Sequence, residues 1–146
     1  MTSKVTCTRL LKADVGHRVY GHEGKCRHPH GHEYRFEITA QADYLDFLGR
    51  VIDFSVLKQS VGGWIDENWD HAFLVYEKDI ALAEALLSLN DSRPPVVVPW
   101  NPTAENIANH VLTVVCPKVL AGSGVVVTKV KVWETENCYA EAVLDG

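Results

Sequence analysis

The sequence is poor in the features that would mark a specialised environment. Its four cysteines, Cys7, Cys26, Cys116 and Cys138, are too widely spread for a disulfide scaffold, so reduced thiols and a cytoplasmic setting are expected. No apolar run approaches the length of a membrane-spanning helix, and MTSKVTCTRLLKADVGH has no signal-peptide pattern. Basic residues are outnumbered, 14 Lys and Arg against 19 Asp and Glu, for a net charge of −5. A field of that sign discourages non-specific binding to nucleic acid or anionic membranes. An anionic small molecule stays possible where basic groups gather locally. Repeats, low-complexity tracts and linkers are absent too. What remains is an ordinary globular composition, 47 % hydrophobic and 23 % charged over 146 residues, which suits one domain spanning 1–146.

The periodicity changes along the chain. Residues 5–11 read as a strand, and 32–43 as a second with Tyr34, Phe36, Ile38 and Ala40 on one face. From Phe54 the spacing is helical through Leu57, Val61, Trp64, Ile65 and Asn68, with Asp53 as N-cap and Gly62-Gly63 as weak points. Residues 80–89 suggest a short helix, and 92–99 a proline-bounded extended stretch. Asn101-Pro102 reads as the cap and first turn of another helix, ended by Pro117. Residues 125–133 and 138–143 read as two more strands. The expected class is α+β: a four-stranded antiparallel sheet with two main helices on one face. Such a sheet has two edges to cover or to pair with another subunit.

Chemistry concentrates in CRHPHGH, Cys26 to His32. His30 and His32 are two apart at the start of a strand, so both point to one face. A third nitrogen would complete the ligand set of a catalytic zinc site with an open position, and His17 at the end of the first strand is the candidate. Neutral imidazole also suits iron or nickel. A solvated loop that binds nothing is the bland alternative, and a same-face pair with a third candidate favours the metal. Cys26 either closes a structural site as fourth ligand or sits beside the metal as a base or nucleophile, and spacing does not separate the two. His22 and His28 read as surface residues, and His110 as structural or exposed. Asp70-His71 could tune an imidazole for proton transfer, and Glu134 could accept two N–H bonds from a guanidine-like ring edge.

Taken in order, His17…Cys26-x-x-x-His30-Gly31-His32, VIDFSVLK, Asp70-His71, Pro102-Thr103-Ala104-Glu105-Asn106 and Trp133-Glu134-Thr135 resemble the 6-pyruvoyltetrahydropterin synthase family over nearly the whole chain. The three residues between Cys26 and His30 are most similar to its 6-carboxytetrahydropterin synthase branch, which serves queuosine and other 7-deazapurine pathways. The resemblance implies a tunnelling fold in which subunits join their sheets into a barrel, commonly a homohexamer of two trimers. It implies Zn2+ on His17, His30 and His32, Cys26 as general base, and Asp70 with His71 as a proton relay from a neighbouring subunit. Glu134 would anchor the pterin, with Thr103 and Glu105 close by. Lys25, Arg27 and Arg18 are candidates for the triphosphate of 7,8-dihydroneopterin triphosphate. The implied products are 6-carboxy-5,6,7,8-tetrahydropterin, triphosphate and acetaldehyde. The rivals are the pyruvoyl-forming reaction and a non-catalytic zinc protein. Two departures stand out. Ala13 replaces an aromatic four residues before His17, and Leu74-Val75 stands where the family often has Leu-Asn, at an expected helix terminus.

Overall fold

Alternation governs the first two strands of the computed structural model, which describes residues 3–145, and lapses only where Thr39 is buried between Ile38 and Ala40. β1 (Thr6–His17) buries Leu11, Ala13, Val15 and His17 and turns Leu10, Lys12 and Asp14 to solvent. β2 (His30–Ala42) runs antiparallel to it and buries Tyr34, Phe36, Ile38 and Ala40 on the same face. The pairing is unbroken from Thr6↔Gln41 to His17↔His30. It therefore carries the pleat of the core directly into the histidine end. β5 (Val125–Thr135) and β6 (Cys138–Val143) extend the sheet antiparallel on the far side of β2.

The expected four-stranded antiparallel sheet is corrected to six strands. β3 (Ala72–Tyr76) and β4 (Val96–Val98) add a parallel flank, in the order β4-β3-β1-β2-β5-β6. AFLVY is a short apolar run, which periodicity cannot tell from the end of a helix. Consequently Leu74 and Val75 lie buried in β3 rather than at a helix terminus. β1 also runs six residues beyond its expected end, because β2 and β3 supply partners to its last turn of pleat. At that point Gly16 is necessary. A Cβ there would stand 2.4 Å from Cδ2 of Phe73 on the neighbouring strand.

The main helices cover the buried face. α1, over 54–68, is capped by Asp53, whose carboxylate accepts from the Ser55 N–H. It passes through a wide π turn at Lys58–Gly62 and resumes as Gly63–Asn68. Gly62 sits where the helix crosses β1, and an added Cβ would lie 3.0 Å from Leu11 Cδ2. That close approach explains a residue of poor helix propensity. Leu57, Val61 and Ile65 are fully buried, each contributing roughly 1.5–3 kcal/mol by leaving water. Truncating Ile65 to Ala would cost about 2–5 kcal/mol.

α2 (Ile80–Leu87) links β3 to β4. α3, over 104–119, begins two residues later than Asn101-Pro102 suggested, because Thr103 is the cap: its hydroxyl accepts from Asn106 N–H at 3.1 Å. Pro117 does not end it. A π turn at Val111–Val115 precedes Cys116–Val119, and Leu120 N–H still reaches the Cys116 carbonyl. Proline near the start of a turn lacks a donor that has little to bond there. Among the described residues, no helix is long and apolar enough to cross a membrane.

Candidate active site

β1 and β2 deliver three imidazoles to one spot at the end of the core. His17 Nε2 lies 3.1 Å from His30 Nε2, which lies 3.0 Å from His32 Nε2. Carbonyl oxygens can only accept, so the 2.6 Å contacts of His17 Nδ1 with Pro102 O and His30 Nδ1 with His28 O place protons on both Nδ1 atoms. Two lone pairs then face one another, an arrangement that a cation relieves. Tetrahedral nitrogen ligands about 2.0–2.1 Å from an ion stand about 3.3–3.4 Å apart, close to this spacing. Burial pushes the His17 pKa down to about 4, the Pro102 bond opposing the shift and the neighbouring His30 and His32 adding to it. Burial and His30 likewise lower His32. Neutral imidazole is the form that binds metal. The set fits a metal ion with an open position.

Cys26 is outside this three-residue metal cluster. It sits on a single 3-10 turn, Lys25–Arg27, between the strands. Its side of the site is a cavity of about 360 Å³ shared with Thr103, Glu105, Glu134, Cys138 and Tyr139. Glu134 Oε1 comes within 4.0 Å of His17 Nε2. Burial raises the pKa of Glu134, and the nearby Glu105 adds to the rise. Neither Lys25 nor Arg27 lines the cavity, and the Arg27 guanidinium donates to its own loop at Gly24 O, 3.0 Å away. Arg18 is committed elsewhere, in a two-bond ion pair with the buried Asp79 at 2.6 and 2.5 Å.

Asp70 and His71 are held on the other face of the sheet. Asp14 alternates with Ala13 and Val15 and so points away from the core. Its N–H donates to Asp70 Oδ1 at 2.9 Å and its carbonyl accepts from the His71 N–H at 2.7 Å. Asp70 Oδ2 holds His71 Nδ1 at 2.9 Å. The Asp14 N–H bond depresses the Asp70 pKa, and the bond from Asp70 raises that of His71. His71 is 75 % exposed and has φ of 59°, a left-handed conformation costing about 1–3 kcal/mol. Beside it opens a second cavity of about 510 Å³, with Glu33, Phe73 and Arg93 in its wall. Within one subunit the pair clusters with the outward-pointing Asp14 rather than with the three histidines, although His32 also borders this cavity.

The sequence held no signal for several of these roles. Pro102 acts through its carbonyl, and Arg93 donates to the carbonyls of Asp70 and Glu67 at 2.6 Å each. Cys138 is exposed and lines the Cys26 cavity. His22 also lines it and accepts from Gly24 N–H at 2.7 Å. His110 packs against Trp64, Trp69 and Trp100.

A model of the 6-pyruvoyl tetrahydropterin synthase family matches residues 6–144. The chain belongs to that family. It is 39 % identical over 137 residues to the 6-carboxy-5,6,7,8-tetrahydropterin synthase of Rickettsia bellii, covering 94 % of this chain and 99 % of that one. The Haemophilus influenzae protein of the same name is 31 % identical over 134 residues, covering 88 % and 91 %. An uncharacterised protein of Wolinella succinogenes shares the fold with a TM-score of 0.83 at 24 % identity, covering 99 % of this chain and all of its own. The 6-pyruvoyl tetrahydropterin synthase of Caenorhabditis elegans does so at 0.70 and 21 %, covering 99 % and 98 %. The chain is an enzyme of this family, with relatives in its 6-carboxytetrahydropterin synthase branch.

Proposed function

We propose that the protein is a zinc-dependent lyase that converts 7,8-dihydroneopterin triphosphate and one water to 6-carboxy-5,6,7,8-tetrahydropterin, triphosphate and acetaldehyde. The observation that carries this reading is the convergence of three imidazoles beside a cavity that holds both Cys26 and Glu134. Full-length similarity to synthases of that name supports the branch. His17, His30 and His32 hold the zinc, which supplies a positive charge to polarise the oxygens of the substrate side chain. Cys26 stands apart from the ligand set, and this favours the thiol as a general base over a fourth ligand.

Glu134 accepts two N–H bonds from the pterin ring edge, and the ring's N–H donors offset the burial that raises its pKa. Thr103 and Glu105 border the same pocket. Asp70 and His71 serve the site of a neighbouring subunit as a proton relay, since their own histidines lie across the sheet. Such sharing needs an assembly. A homohexamer that closes the exposed edges β4 and β6 into a barrel provides one. Lys25 and Arg27 reach the triphosphate only if it extends out of the cavity, and Arg18 is withdrawn from that role. The reading places the enzyme in the cytoplasm, in queuosine or related 7-deazapurine synthesis.

Mass spectrometry of products from the zinc-loaded protein and 7,8-dihydroneopterin triphosphate tests the reading. A 6-carboxypterin with acetaldehyde is expected. A pyruvoyl product would keep the site and correct the branch, and no product would sink the reading.

A further inference from the structure

Asn101, which the sequence offers as a helix cap, yields that role to Thr103 and turns its side chain elsewhere. Its Nδ2 donates to the Tyr20 carbonyl and its Oδ1 accepts from the Tyr20 N–H, both at 2.9 Å. One planar amide thus pairs with the backbone of a single residue, 81 positions away, as a neighbouring strand would. The Asn101 carbonyl is held as well. It accepts from the Thr103 N–H at 2.7 Å, closing a three-residue turn around Pro102, and from Asn106 Nδ2 at 2.9 Å. Asn101 therefore joins the start of α3 to the loop that leaves β1.

That junction lies beside three parts of the candidate site. Pro102, the next residue, presents its carbonyl to His17 Nδ1 at 2.6 Å. Proline has no N–H, so its own backbone cannot fix where that carbonyl points. The bonds of Asn101 and Thr103 on either side must do so. On the loop side, Tyr20 follows Val19, whose N–H donates to the Cys26 carbonyl at 2.8 Å. On the helix side, Thr103 and Glu105 border the cavity that holds Cys26 and Glu134. Loosening the amide pairing would let the Pro102 turn move relative to β1. The His17 ring would then lose the acceptor that fixes its tautomer.

We propose that Asn101 is a positioning residue for the three-histidine centre. By clamping the Tyr20 backbone it holds the Pro102 carbonyl on His17 Nδ1, and so aims Nε2 at the space shared with His30 and His32. It touches neither metal nor substrate. That the centre holds zinc rests on the function proposed above; that Asn101 fixes the His17 ring does not.

The test compares the full-length protein with Asn101→Ala and Asn101→Asp. The aspartate keeps the bond from the Tyr20 N–H but sets a second oxygen against the Tyr20 carbonyl. Ser123→Ala is the control, because the Ser123 hydroxyl also makes two backbone bonds, to Leu120 O at 2.6 Å and from Val125 N–H at 3.1 Å. It stands at the opposite end of the sheet, where Val125 pairs with Ala42. Two quantities are read. Zinc affinity is measured by competition with a chromophoric chelator, and the His17 Nδ1–H signal by NMR of metal-free protein labelled at the histidine ring nitrogens. Both Asn101 variants should bind zinc about tenfold more weakly, the lower end of what losing a ligand's direct partner costs. Their His17 signal should move or broaden, and Ser123→Ala should change neither. Unchanged zinc affinity and His17 signal, with Tm lowered, would make Asn101 merely structural and overturn the proposal. An equal loss in Ser123→Ala would trace the effect to lowered stability and overturn it too. So would failure of both Asn101 variants to fold, since the amide would then serve the fold rather than the site. If the parent protein binds no zinc, the metal reading falls by itself. A moved His17 signal then still supports the proposal, and an unmoved one overturns it.

Discussion

The two faces of the sheet carry two kinds of histidine. On the core face, His17 is 1 % exposed, its pKa is depressed to about 4, and its tautomer is set by the Pro102 carbonyl. On the outer face, His71 is three-quarters exposed, and Asp70 raises its pKa. Burial disfavours the cation in the first case, and an adjacent carboxylate favours it in the second. The first environment suits a metal ligand and the second a proton carrier. The sheet keeps the two groups apart within one subunit, and the shared site proposed above would need a second subunit to join them.

Breaking the core-face group should have the largest effect. His30→Ala removes one of three converging nitrogens and should abolish both bound zinc and turnover, read by elemental analysis and product assay. Zinc retained at full stoichiometry would remove the histidines from the ligand set. Cys26→Ala should lower kcat by about 10²–10⁴-fold while zinc stays bound. A joint loss of zinc and folding would instead make Cys26 a structural ligand.

The separation of the faces is sharpened by mixing. His71→Ala alone should lower kcat by about 10²-fold. Refolded with His30→Ala chains, it should recover about a quarter of the native rate, because random pairing unites an intact metal set with an intact Asp70-His71 pair in that share of sites. No recovery would place both groups of each site in one chain.

The mildest effect is a titration. By NMR, His71 should titrate above the ordinary value of about 6.5, and Asp70→Asn should bring it back. Because its folded pKa is raised, any stability it adds is complete below the ordinary histidine pKa. It is lost as the pH rises through the folded value. An unshifted His71 would break the contrast.

Much of this was legible because it is local. The i, i+2 spacing of His30 and His32 follows from the pleat, and the helices at Phe54 and after Pro102 follow from period and caps. Glu134 and Asp70-His71 were weak signals singly and gained weight as parts of an ordered set, and that set carried the family. β3 was not legible, since five apolar residues after a helix have no period of their own. Nor was the continuation of α3 through Pro117, which depends on a π turn that propensity does not foresee.

By itself, then, the sequence determined which residues alternate, where helices begin, and which side chains have the chemistry for metal and proton transfer. These are properties of neighbours along the chain, set by dihedral preference and side-chain type. Tertiary structure alone decided that Pro102 orients His17 across 85 residues. It also withdrew Arg18 into a pair with Asp79, turned Asp70 and His71 to the far face, and left the Tyr34 hydroxyl without a partner among the described residues. Each of those depends on which surfaces meet when the sheet and helices pack, and contacts between distant segments are not written in local spacing.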